Sequence, residues 1–190
     1  MIHGQQFVNL VKRYFYFLVD DYGFSLISEK QVNDTGSVRY QSSDVYVNLS
    51  VDQPGFELNF VFGRIGIDDQ ANSYSFEQGD LILLECCHSW VWHQGPESGV
   101  ELMIKEFARL LKNCGDACLR GDSAVYSEMR TRRDEWVGRR LKEQCNSSLR
   151  KDAEKAWQNK DYQTAVKIYR QLSDSLTDVE KKKFVISEKF

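Results

Sequence analysis

The chain has 190 residues, of which 42% are hydrophobic, 28% charged and 13% aromatic, with two prolines. That length suits one domain, or one with an appendage, and buries enough surface to need neither disulfide nor structural metal. The composition excludes general disorder. The net charge of −3 conceals a split. Residues 1–121 hold 9 Lys/Arg against 16 Asp/Glu, a balance of −7, while residues 122–190 hold 16 against 12, a balance of +4. This is not the single dominant basic field of a nucleic-acid binder.

The N-terminal residues MIHGQQ carry no basic flank, and Asn9, Lys12 and Arg13 interrupt the apolar run after them. No signal peptide or membrane span is expected there. Five cysteines, an odd count, fit reduced thiols in a cytoplasmic protein.

Phe7, Leu10, Val11, Tyr14, Phe15 and Leu18 follow helical spacing, which predicts one helix over 5–22 ended by Gly23. The period then changes to two. Phe24–Gln31 and Ser37–Ser42 read as strands around an Asn33-Asp34-Thr35-Gly36 turn. Val45, Val47, Leu49 and Val51 alternate with polar residues, as do Phe56, Leu58, Phe60 and Phe62, around Gln53-Pro54-Gly55. That pattern predicts a hairpin with one buried and one wet face.

Leu81–Leu84 is a short apolar run of either type. A helix over 98–119 follows, with Val100, Met103, Ile104, Phe107, Leu110 and Leu111 in its stripe. Beyond Gly121 a charged helix covers 123–145, and three short helices cover about 147–159, 161–173 and 177–188. The expected fold is α+β, an antiparallel sheet covered by N-terminal and central helices, followed by an all-helical C-terminal appendage. The expected division is an α+β domain over 1–121 and a helical region over 122–190.

The functional candidates are few. Cys86, Cys87, His88, His93, Cys114 and Cys118 contain soft ligands, but adjacent Cys86 and Cys87 would point to opposite faces of a strand. Cys114 and Cys118 sit on a helix stripe, where free cysteine is a core residue. Arg130, Arg132, Arg133, Arg139, Arg140 and Lys142 interleave with acids, which marks a solvated helix face rather than a nucleic-acid site. There is no phosphate loop, dinucleotide fingerprint, nucleophile elbow or zinc-protease helix. No catalytic, cofactor-binding or metal-ligating residue is assigned, and no cofactor is expected. Asp68, Asp69, Glu77 and Asp80 form an acidic middle suited to docking a basic protein. The alternative is a small α+β enzyme or ligand-binding domain using the loop region 66–96.

Two resemblances add to this reading. Ala153, Ala156, Tyr162, Ala165 and Tyr169 resemble a single tetratricopeptide-like helical hairpin, with Thr177 where the repeat usually has proline. Residues 177–188 would then be its capping helix. Phe17-Leu18-Val19-Asp20-Asp21-Tyr22-Gly23-Phe24 and the meander after it resemble small bacterial immunity-type proteins over roughly residues 7–65. That resemblance implies a non-enzymatic role: stoichiometric binding of a protein partner in the cytoplasm, with no catalytic residues.

Overall fold

The computed structural model describes residues 4–32, 35–52, 57–68, 75–77, 80–81 and 97–190. The Asn33-Asp34 and Gln53-Pro54-Gly55 turns, Phe56, Ile82–Leu84 and residues 85–93, with their cysteine and histidine pairs, lie outside the described residues. The chain divides into two compact units, Met1–Arg133 and Asp134–Phe190.

The first unit opens with α1 (Gly4–Tyr14) and α2 (Phe17–Asp20), where one helix was expected. The break follows from packing. Phe15 and Phe17 are both buried, with ring centroids 5.9 Å apart. A regular helix would set residues two apart about 200° from each other, so it cannot bury both on one face. The chain tightens instead, with Leu18 N–H donating to Phe15 C=O at 3.0 Å. Gly23, at φ +68°, ends the segment in the left-handed region that costs glycine least.

Five strands follow: β1 (Ser25–Val32), β2 (Thr35–Gln41), β3 (Val45–Asp52), β4 (Glu57–Arg64) and β5 (Phe76–Glu77). They form one antiparallel sheet in the order β1-β2-β3-β4-β5. Cross-strand partners Val47↔Phe62, Leu49↔Phe60 and Val51↔Leu58 are all buried, so the period-two alternation sets the register. Between β1 and β2 the register slips at Ile27.

The opposite face is not uniformly wet. Asn59 is exposed, but Tyr46 is buried, because the turn at Arg64–Asp68 folds back over it. Gly63 permits that approach, since a Cβ there would stand 2.8 Å from Asp68 Cβ and 3.1 Å from the Tyr46 hydroxyl.

The covering layer continues with α3 (Glu97–Cys114) and α4 (Asp116–Leu119), which divide at Gly115 the helix expected over 98–119. Phe107 of α3 stacks on Phe60 of β4, centroids 5.1 Å apart, and Phe15 meets Phe60 at 6.2 Å. Cys118 is buried, its thiol 3.9 Å from Met129 Sδ, whereas Cys114 is only half-buried.

A continuous helix, α5 (Ser123–Gln158), replaces the two expected over 123–145 and 147–159. Neither Pro nor Gly interrupts residues 139–158. Asn146, which could have capped a new helix, instead donates its side-chain amide to Ser175 Oγ at 3.2 Å. Tyr126 and Met129 of α5 are buried in the first unit's core. The unit boundary therefore falls at Arg133/Asp134 rather than at residue 121.

In the second unit, the rest of α5 is followed by α6 (Tyr162–Leu172), a 3₁₀ turn at Ser173–Ser175, and α7 (Asp178–Ser187). Its core is Ala153, Ala156, Ala165, Tyr169 and Leu172. The small residues and Tyr169 that carry the repeat-like pattern are thus the buried ones. Asp161 caps α6 through Thr164 N–H, and Thr177 and Glu180 form a reciprocal capping box on α7. Thr177 is thus a helix cap at the position where the repeat usually has proline.

Candidate functional site

Within the acidic middle of the sequence, Asp68 and Asp80 are buried carboxylates held by partly exposed arginines. Asp68 has no solvent exposure. Its Oδ2 accepts from Arg64 N–H and Arg64 Nε, each at 3.0 Å, and its Oδ1 accepts from Arg130 Nη2 at 3.1 Å. Asp80 is equally internal. It accepts from Glu77 N–H at 2.7 Å and from Arg133 Nε at 2.5 Å, and it pairs with the Arg133 Nη2 group as well. Arg133 also donates to Ser75 C=O at 3.2 Å from both Nη atoms.

Aromatic rings line the same cluster. The Arg64 guanidinium lies 4.9 Å from the Tyr126 ring centroid, and Arg133 lies 5.3 Å from Phe76. The Tyr46 hydroxyl donates to Asp68 C=O at 3.1 Å and meets Ser75 Oγ at 3.0 Å. Burial pushes the Tyr126 phenol upward, and its hydroxyl donates to Cys118 C=O at 3.1 Å. Two carboxylates and three guanidiniums thus hold the β4–β5 end of the sheet to the first turns of α5.

This placement removes Asp68 and Asp80 from the expected acidic docking face. Asp68 and Asp80 cannot meet a partner, because arginines of their own chain already neutralise them inside the unit. Glu77 is exposed, and Asp69 lies outside the described residues. The internal role was missed because Arg130 and Arg133 read as part of a solvated face. One signal was present: Tyr126, Met129, Arg130 and Arg133 follow i, i+3, i+4, i+7, so the arginines extend a core-facing stripe.

The 66–96 alternative falls mostly outside the described residues. Among the described residues, no three of His, Cys, Asp and Glu converge as a metal site. No described helix is long and apolar enough to cross a membrane.

A different surface stands out at α2. Turning Phe15, Phe17 and Leu18 inward turns Tyr16 and Val19 outward, to 62% and 39% exposure. Exposed Asp20 and Asp21 follow directly. Tyr22 extends this corner and donates to Asp116 Oδ1 at 2.9 Å. Hydrogen bonds from Arg120, and then from Tyr22, hold the Asp116 carboxyl below the usual carboxylate range. The corner therefore presents an exposed aromatic ring and an aliphatic side chain beside the acidic side chains of Asp20 and Asp21. No family model, curated protein or solved structure matches the chain.

Proposed function

We infer that this chain is a non-enzymatic interaction protein that binds a basic protein partner through its first unit. The supporting observation is the internal neutralisation of Asp68 and Asp80. Residues 1–133 hold 12 Lys/Arg against 18 Asp/Glu, a balance of −6. The cluster of Arg64, Arg130 and Arg133 with Asp68 and Asp80 accounts for +1 of this, leaving −7 over the rest of the unit. Such a field speeds encounter with a cationic partner and selects against anionic ones.

The α2 corner supplies what charge alone does not. Interfaces draw most of their energy from a few desolvated anchors, with tyrosine among the commonest. Tyr16 and Val19 are the anchors, and Asp20 and Asp21 the steering charges. An immunity-type role fits this arrangement, with the chain masking a basic toxin by stoichiometric binding.

The test is affinity capture of the tagged full chain from its native host, repeated with Asp20→Lys/Asp21→Lys and with Tyr16→Ala. The expected result is a stoichiometric basic protein whose association slows with added salt and which both variants lose. An acidic partner, no stoichiometric partner, or one that both variants retain unchanged would overturn the reading.

A further inference from the structure

We propose that the outer face of α7 is a second docking surface, for a helix of a partner protein with an apolar face flanked by acidic residues. In α7, Phe184 and Ser187 turn inward, and Phe184 meets Tyr169 with ring centroids 6.2 Å apart. The opposite side carries Val179, Lys182, Val185 and Ile186; beyond the helix, Lys189 is exposed and Phe190 stacks on Tyr162 with ring centroids 4.7 Å apart. Val179, Lys182 and Ile186 follow at i, i+3 and i+7, so they form one stripe of the helix, with Val185 beside it and Lys189 in the turn just beyond.

The apolar members of this stripe are uncovered. Val179 is 64% exposed, Val185 54% and Ile186 45%. A helix that finishes a stack of helical hairpins needs a polar outer face to stay soluble. This one sets Val179, Val185 and Ile186 on its outer face, while the fully buried part of the unit's own core is five residues, three of them alanine. A unit this small gains most from burying further apolar area against a partner.

Charge decides the kind of partner. Lys181 pairs with Asp178 and Lys183 with Glu154. Among the described residues, Lys182 and Lys189 pair with no carboxylate; Lys182 lies on the apolar stripe and Lys189 in the turn that follows the helix. Residues 134–190 hold 13 Lys/Arg against 10 Asp/Glu, so the unit's field has the same sign. A second copy of the chain would set these lysines against their own counterparts. A partner helix carrying glutamates beside its apolar ridge would pair with them. The stripe from Val179 to Ile186 is about 10 Å long, which suits roughly two turns of such a helix.

The experiment uses the purified full chain and two synthetic helical peptides of about 15 residues with the same leucine ridge, one flanked by glutamates and one by lysines. The expected result is that the glutamate peptide binds about tenfold more tightly than the lysine peptide, with affinity falling as salt rises. Lys182→Glu/Lys189→Glu should reverse that preference. Val179→Ser/Ile186→Ser should abolish binding while leaving the thermal unfolding curve in place. Equal affinities, or no binding of either peptide, would overturn the proposal. So would reversible dimerisation lost in Ile186→Glu, which would assign the face to a second copy. Cosedimentation with vesicles containing phosphatidylglycerol, lost in the same variant, would assign it to an anionic lipid surface and likewise overturn it.

Discussion

Arg130 reaches back across 62 residues of chain to donate to Asp68 Oδ1 at 3.1 Å. Asp68 is fully buried, and it is also the acceptor for the Arg64 backbone N–H. Removing it leaves the largely buried Arg64 guanidinium and the Arg64 backbone N–H without their acceptor, while the half-exposed Arg130 keeps water. Asp68→Ala should therefore cost about 3 kcal/mol, as expected when one partner of a buried pair is lost. Asp68→Asn, which keeps an acceptor for the amide, should cost less. Urea unfolding of the full chain measures both, and an unchanged midpoint for Asp68→Ala would show that the carboxylate is not holding this end of the sheet.

Gly63 provides an independent check on the same turn. Its missing side chain leaves room for Asp68 and Tyr46, and a Cβ would sit 2.8 Å from Asp68 Cβ. Gly63→Ala should overpack the site and cost roughly 1–3 kcal/mol. In the double variant with Asp68→Gly, which removes that Cβ together with the carboxylate, the two costs should fall short of additivity.

Tyr40 makes the first unit sensitive to alkali. Burial, with the Glu29 carboxylate beside it, pushes its phenol up to about 12. A phenol with a folded pKa above its unfolded value near 10 binds its proton more tightly in the folded state. Its contribution is complete below about pH 10 and is lost as pH climbs to about 12, a difference of roughly 3 kcal/mol. Tyr40→Phe should flatten the decline in stability over that interval. Unfolding free energies with the same pH dependence in both proteins would contradict this.

In the second unit, Ala165 is wholly buried among Ala153, Ala156, Tyr169 and Leu172. Ala165→Leu forces extra side-chain volume into that contact and should cost roughly 1–3 kcal/mol. Thermal unfolding followed by circular dichroism reads the effect, and an unshifted transition would mean that the helices do not meet tightly at this position.

The sheet was legible because period-two burial leaves a direct trace, as in Val47, Leu49 and Val51 against Phe62, Phe60 and Leu58. The helix boundaries were less so. Burying Phe15 and Phe17 together is a tertiary demand, and no local rule announces the break it causes. The roles of Asp68 and Asp80 were hidden for a different reason. Their cations lie 62 and 53 residues downstream, on a helix whose charge pattern looks solvated until Tyr126 and Met129 are seen to enter the core. The α2 corner was half visible, since Asp20 and Asp21 stand in the sequence beside aromatics, but the outward turn of Tyr16 depends on the same break.

The slipped register at Ile27 matters beyond this molecule's own sheet. A terminal strand with evenly repeating donors and acceptors is a template on which further chains can zip into fibrils. In β1 the extra residue at Ile27 kinks that ladder, and Glu29, Lys30 and the Lys12–Glu29 ion pair place charge along it. The strand can thus expose Leu26, Ile27 and Val32 without becoming a seed for growth. Straightening it by deleting Ile27 would remove the kink and convert a tolerated edge into an aggregation hazard.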